Sequence, residues 1–166
     1  MTDPENANSA LSAWLATSES IRAAIEGLRE EDLDLRGGNE GWSVRETVHH
    51  LVEANLIASN IMIAALAGSS TPYDWSWVNP STAWMERLAY RTVPVDPALT
   101  MLRALCDHMA VLIQAVPDGF ERHVRLLDSP GAKLYSRTVR DLVTEQVEHV
   151  NGHIATIKQI RTACGR

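Results

Sequence analysis

Apolar residues recur at the three- and four-residue spacing of amphipathic helices in four stretches of the chain. The first stretch follows Asp3-Pro4 and ends before the glycine-containing loop at 36–39. The second begins after Ser43, whose spacing from Glu46 is that of a capping box, and it runs to about Ala67. These two stretches predict the first two helices of a bundle.

The other two stretches lie in the second half of the chain. The third begins at Asp96-Pro97, a helix cap followed by proline at the first helical position, and it continues to Pro117. The fourth runs from about Ser136 to Cys164. Because no stretch alternates apolar and polar residues for long enough to predict a strand, the pattern predicts an all-α four-helix bundle.

The connection between the second and third helices, residues 69–95, is long and rich in aromatic residues. It contains three prolines and five aromatic side chains: Tyr73, Trp75, Trp77, Trp84 and Tyr90. Long structured connections in compact domains are often functional, and an aromatic one can pack over an opening. Two interpretations stay open: the connection covers the end of the core, or it forms a lid that faces a substrate.

Composition and charge narrow the class of protein. A chain of 166 residues is the size of one domain, and we expect a single domain over residues 1–166. The formal charge of −6, with 15 basic residues dispersed among 21 acidic ones, argues against a nucleic-acid partner. The first residues lack a secretory pattern and the longest apolar stretch, 56–67, is too short to span a bilayer, so we expect a cytoplasmic protein with no membrane partner.

Two histidines of the fourth helix lie near its apolar face. At about 100° per residue, that face carries valine, leucine and isoleucine side chains from Val139 to Ile160. His153 falls within this face and His149 falls at its edge. Their four-residue spacing lets two imidazoles on one side of a helix share a metal ion.

The second helix offers a third imidazole. The same rotation places His50 at the margin of the apolar face, whereas His49 falls on the polar side and is expected to face water. Three inward histidines can supply three neutral nitrogen ligands and leave one position open, as catalytic metal sites do. The predicted ligands are His50, His149 and His153.

Gln146 and Glu53 are the candidates for side chains that support these ligands. Ligating imidazoles usually donate their second N–H to a carboxylate, a carbonyl or water, and each candidate lies one helical turn from a predicted ligand. Glu53 is predicted to point outward. The alternative for the whole cluster is that the histidines are hydrogen-bonded core residues that bind no metal.

Around these residues the sequence resembles the DinB-like superfamily of bacterial four-helix metalloproteins. That superfamily includes thiol-dependent S-transferases and the metal-binding domain of mycothiol-dependent maleylpyruvate isomerase. One matching segment is GWSVRETVHHL at 41–51, where a histidine eight positions after the tryptophan selects His50. The other is HVNGHIATI at 149–157, which contains two histidines four residues apart.

The resemblance implies one divalent ion of nickel, zinc, iron or manganese at a three-histidine site, frequently in a homodimer. An open metal held by imidazoles can lower the pKa of a bound water or thiol toward neutrality. The expected function is a thiol S-transferase that adds a low-molecular-weight thiol, such as mycothiol or bacillithiol, to an electrophilic small molecule. The alternatives are a metal-dependent hydrolase, in which Glu53 helps with proton transfer, and a non-catalytic stress-associated module that binds a metal or ligand.

Overall fold

The four predicted helical stretches are all present in a computed structural model, which describes residues 4–37 and 41–166. The first stretch is divided at Ala16 into two helices, and a short extra helix lies in the 69–95 connection. The helices, in chain order, are α1 (Pro4–Leu15), α2 (Thr17–Ile25), α3 (Val44–Leu66), α4 (Thr82–Arg87), α5 (Val95–Ala115) and α6 (Val139–Ala163). The predicted four-helix bundle is confirmed, with α1 and α2 together forming its first member.

The residues at the two ends of α3 determine where this helix begins and ends. The Ser43 hydroxyl accepts a hydrogen bond from the Glu46 backbone N–H, and the Glu46 carboxylate accepts one from the Ser43 N–H, so the predicted capping box is formed. Gly68, just past the end of α3, has a φ of +69°, which glycine adopts without strain. A second capping box, between Thr138 and Asp141, starts α6.

A small sheet corrects the expectation that the chain forms no strand. Its strands are β1 (Tyr73–Asp74), β2 (His123–Leu127) and β3 (Tyr135–Thr138), with β2 parallel to β1 and antiparallel to β3. The alternation in β2 is real, since Val124 and Leu126 are buried and their neighbours are not. The alternation covers only residues 123–126, the lower limit of the four to eight residues that indicate a strand, which is why the pattern missed it.

The core lies where α3 packs against α5 and α6. Its largest fully buried side chains include Trp14, Leu51, Leu99 and Met109, and burial of each contributes roughly 1.5–3 kcal/mol. Among the described residues, α5 is the one helix long and apolar enough by composition to cross a membrane. Leu99 and several other apolar side chains of α5 are buried against the bundle.

The polar side of α3 is covered, and the expectation that His49 faces water is wrong. His49 is only 4% exposed, its ring stacks on Tyr90 at a centroid distance of 4.7 Å, and its Nε2 lies 3.0 Å from the Val93 carbonyl oxygen. Tyr90 and Val93 belong to the 69–95 connection, which folds back over α3. Helical periodicity locates the apolar face but cannot show that another segment covers the polar one.

Two further side chains of α3 bind the same connection. Glu46 is fully buried and its carboxylate pairs with Arg91 at 2.9 Å, while its other oxygen pairs with Arg36 at 2.9 Å. One turn beyond His49, both carboxylate oxygens of Glu53 lie within hydrogen-bond distance, 2.9 and 3.0 Å, of the Trp84 Nε1–H donor. Contacts from three successive turns of α3 therefore hold residues 84–93 in place.

Candidate metal centre

The structure brings His50, His149 and His153 together between α3 and α6. The Nε2 atom of His149 lies 3.2 Å from Nε2 of His50 and 3.1 Å from Nε2 of His153. The possible ligand atoms of all three lie within 4.8 Å of one another. His50 is 7% exposed, and the other two are half-buried.

The spacing of these nitrogens fits a shared ion. Two nitrogens that each lie about 2.0–2.1 Å from a tetrahedral zinc are about 3.3 Å apart, close to the separations observed here. The donor set of three neutral imidazoles suits zinc, nickel, iron and copper alike, so it does not select one metal. With three protein ligands, a fourth position stays open to a small molecule.

Burial keeps these imidazoles unprotonated. Desolvation, followed by repulsion between positive charges on His50 and on the neighbouring His149 and His153, lowers the pKa of His50 to about 3. The pKa of His153 falls to about 4 through burial and the proximity of His149. Burial also lowers the pKa of His149. Because an imidazole binds metal only when unprotonated, all three groups are in the binding form near neutral pH.

Trp42, at the end of the loop before α3, packs against the cluster. Its ring meets His50 edge-on at 4.7 Å and stacks on His153 at 6.0 Å, so it helps to fix both imidazoles. The Nδ1 atom of His50 is buried and has no hydrogen-bond partner among the described residues. The supporting hydrogen bonds expected from Gln146 and Glu53 are not formed in the described part of the chain, where Glu53 is bound to Trp84 and Gln146 Oε1 is unpaired.

A cavity of about 340 Å³ adjoins His50 and His149. Glu53 and Gln146 both line it, so the predicted outward direction of Glu53 is wrong. Other walls come from the 69–95 connection and from the sheet, including Trp75, Leu126 and Tyr135. The volume lies within the range of small-molecule sites.

The chemistry of Glu53 differs from that of a surface carboxylate. Burial raises the pKa of Glu53, and the hydrogen bond from Trp84 opposes that rise. The Trp84 contact also fixes the direction of the carboxylate. A carboxylate with a raised pKa beside a metal centre is suited to accepting a proton.

Several lining residues have no signal in the sequence that assigns them to the site. Trp75, one of the aromatic residues noted in the 69–95 connection, lines the cavity and donates through Nε1 to the Tyr135 hydroxyl at 3.2 Å. Trp77 instead is 58% exposed and stacks on Trp84. The connection therefore supplies one wall of the cavity and also covers α3. His108 and His123 are exposed, away from the triad.

Comparison with known proteins identifies relatives of the whole chain. A protein of Geobacillus thermodenitrificans, named as a candidate metal-dependent hydrolase, is 27% identical over 159 residues, which cover 92% of this chain and 84% of that protein. YfiT of Bacillus subtilis, named in the same way, is 24% identical with the same coverage. The solved structure of YfiT, described as an unusual four-helix bundle, matches with a TM-score of 0.80 at 21% identity, covering 99% of this chain and 91% of that one. This likeness supports the fold.

The family follows from the sequence profile of the DinB superfamily, which matches residues 13–157. The matched region contains both segments on which the resemblance was based, 41–51 and 149–157. Because the match spans most of the chain, the chain belongs to the DinB superfamily.

Proposed function

We propose that the protein is a metal-dependent hydrolase in which His50, His149 and His153 hold one divalent ion. The observation that carries the proposal is the convergence of three Nε2 atoms beside a cavity that also contains a buried carboxylate. The names of the relatives, as metal-dependent hydrolases, support the same reaction class. When bound, such an ion supplies Lewis acidity and makes a water molecule acidic enough to lose its proton near neutral pH.

Glu53 is the residue that would take that proton. It lies one turn after His50 on α3 and lines the same cavity. The hydrogen bonds from Trp84 hold the carboxylate in one direction, and burial brings its pKa nearer to neutrality. A general base positioned in this way contributes about 10²–10⁴-fold to a rate.

The test is Glu53→Gln, which keeps the shape and removes the base. Hydrolysis of a panel of amides and esters by zinc-, nickel- or manganese-loaded protein should fall by about 10²–10⁴-fold, with metal content unchanged. Glu148→Gln, at an exposed position of α6, is the matched control and should keep full turnover. Unchanged turnover in Glu53→Gln would contradict the assignment of the base, and no metal-dependent hydrolysis of any substrate would contradict the function.

A thiol S-transferase is the second candidate, because the superfamily that the sequence resembles includes such enzymes. Cys106 is buried in the core, Cys164 is exposed, and neither lines the cavity. A thiol nucleophile would therefore have to enter as a cosubstrate such as mycothiol or bacillithiol. Turnover that requires both thiol and metal would favour this function, turnover with metal and water alone favours hydrolysis, and a non-catalytic metal-binding or ligand-binding module would show neither.

A further inference from the structure

The cavity beside the histidines has a polar end and an apolar end. Along α3 the lining changes from His50 and Glu53 to Ile57 and Ile61. At 1.5 Å per residue, Glu53 and Ile61 are separated by about 12 Å along the helix axis. On α6 the lining residues also change from polar to apolar, from His149 through Gln146 and Glu145 to Leu142. A bound molecule therefore meets polar groups at the histidines and apolar side chains farther away.

The apolar end extends across the sheet and the 69–95 connection. Leu142 of α6, Leu126 of β2 and Val78 of the connection line it, and so does the ring of Trp75. These groups offer contact area without specific hydrogen bonds. They favour an apolar substituent and exclude a charged one, because a buried charge without a partner is costly.

The described lining offers no cationic side chain to an anionic substituent. No lysine or arginine is among the cavity-lining residues in the described part of the chain. Of the two lining carboxylates, Glu145 is already paired with Arg137 at 2.6 Å, which leaves that guanidinium engaged outside the lining. Glu53 has a tryptophan N–H donor but no cationic partner among the described residues. A carboxylate on the far end of a bound molecule would therefore find no cationic side chain in the described lining.

Gln146 supplies an unused amide at the polar end. Its Oε1 atom is buried and has no hydrogen-bond partner among the described residues, so it can accept a hydrogen bond from a bound molecule. A glutamine side chain carries both an acceptor and two donors. It can therefore pair with the N–H or the C=O of an amide that lies beside His149, one helical turn away.

We propose that the cavity binds an uncharged amide whose polar group lies at Gln146 and Glu53 and whose apolar substituent extends toward Val78 and Ile61. Molecules with a carboxylate on that substituent are rejected. The proposal rests on the proposed hydrolase for the reaction that follows, but the binding preference depends only on the lining. The proposed class of substrate is therefore apolar carboxamides.

Binding of two matched probes tests this preference. N-hexylacetamide and 6-acetamidohexanoate share the amide and the chain length and differ in the far end. Calorimetry on the full chain, after chelation has removed any metal that the carboxylate could coordinate, should give a dissociation constant at least about ten-fold lower for N-hexylacetamide. Equal affinities, tighter binding of the carboxylate, or no binding of N-hexylacetamide would overturn the proposal.

Two variants locate the two ends of the bound molecule. Val78→Arg, in the connection, should improve binding of 6-acetamidohexanoate by about ten-fold through a new ion pair, whereas Val111→Arg at an exposed position of α5 should not. Gln146→Leu should weaken the binding of N-hexylacetamide by about five- to ten-fold. Gln159→Leu, at an exposed position of the same helix, should leave that binding unchanged. No change in Val78→Arg or in Gln146→Leu would overturn the corresponding placement.

Metal content and hydrolysis measured on the same preparation separate this proposal from the proposed function. If the probes rank as expected but no metal binds, the hydrolase proposal fails and the binding preference stands. If the protein binds metal and hydrolyses carboxylate-bearing amides as fast as apolar ones, the hydrolase stands and the substrate class fails.

Discussion

Replacement of His49 by alanine should destabilise the protein without removing a metal ligand. The wild-type imidazole is 4% exposed, stacks on Tyr90 and lies 3.0 Å from the Val93 carbonyl oxygen. Loss of that hydrogen bond costs about 0.5–1.5 kcal/mol, and loss of the aromatic pair costs about the same. The void left by the ring adds on the order of 1 kcal/mol, because the surroundings relax only partly. We therefore expect the free energy of unfolding to fall by about 2–4 kcal/mol.

Urea unfolding followed by circular dichroism measures this change as a lower midpoint with an unchanged slope. His49→Phe keeps an aromatic ring against Tyr90 and should recover about half of the loss. His108→Ala, on the exposed side of α5, is the matched control and should stay within about 0.5 kcal/mol of the wild type. A loss of less than about 0.5 kcal/mol in His49→Ala would mean that the side chain faces water, and a loss of bound metal would mean that it is a ligand.

Three further results are expected. Glu46→Gln weakens the ion pairs with Arg36 and Arg91 and part of the cap of α3. The free energy of unfolding should therefore fall by about 1–3 kcal/mol. An unchanged urea midpoint would refute the role of this buried carboxylate. With folded-state pKa values of about 3 for His50 and about 4 for His153, both stay neutral while the unfolded chain takes up protons below about pH 6.5. The metal-free protein should therefore be most stable above that pH. Its free energy of unfolding should fall by up to about 1.4 kcal/mol per pH unit per histidine as the pH falls toward 4. A urea midpoint that stays constant from pH 7.5 to 4.5 would contradict the burial of the triad. Addition of a divalent metal at 100 times its dissociation constant should add about 2.7 kcal/mol, seen as a higher melting temperature that chelation reverses and that is missing in His153→Ala.

The helical pattern was sufficient to bring the three histidines to one place. His50 lies at the margin of an apolar face on α3, and His149 and His153 lie near the apolar face of α6, so packing of the two faces forces the imidazoles together. A pattern of this kind depends only on which residues avoid water, and it holds whatever covers the rest of the helix. The homodimer implied by the resemblance stays a prediction, which light scattering of the purified chain tests.

The pattern was insufficient for His49 and Glu53, which lie on the polar side of α3. Both are covered by the 69–95 connection, through Tyr90 in one case and Trp84 in the other. Coverage by a segment distant in sequence is a tertiary effect, and the sequence pattern of a single helix does not predict it. For the same reason the sequence did not place Tyr135 in the cavity, because its strand β3 is four residues long and its role depends on pairing with β2.

Metal content of the purified chain tests the central claim most directly. Protein made without a polyhistidine tag, and its single alanine variants, would be dialysed against one divalent metal and measured by mass spectrometry of the metal against protein concentration. The wild type, His49→Ala and His108→Ala should each hold one ion per chain, whereas His50→Ala, His149→Ala and His153→Ala should hold less than about a tenth of that amount. A wild type that holds no ion, or triad variants that keep a full ion, would contradict a metal centre at these three histidines.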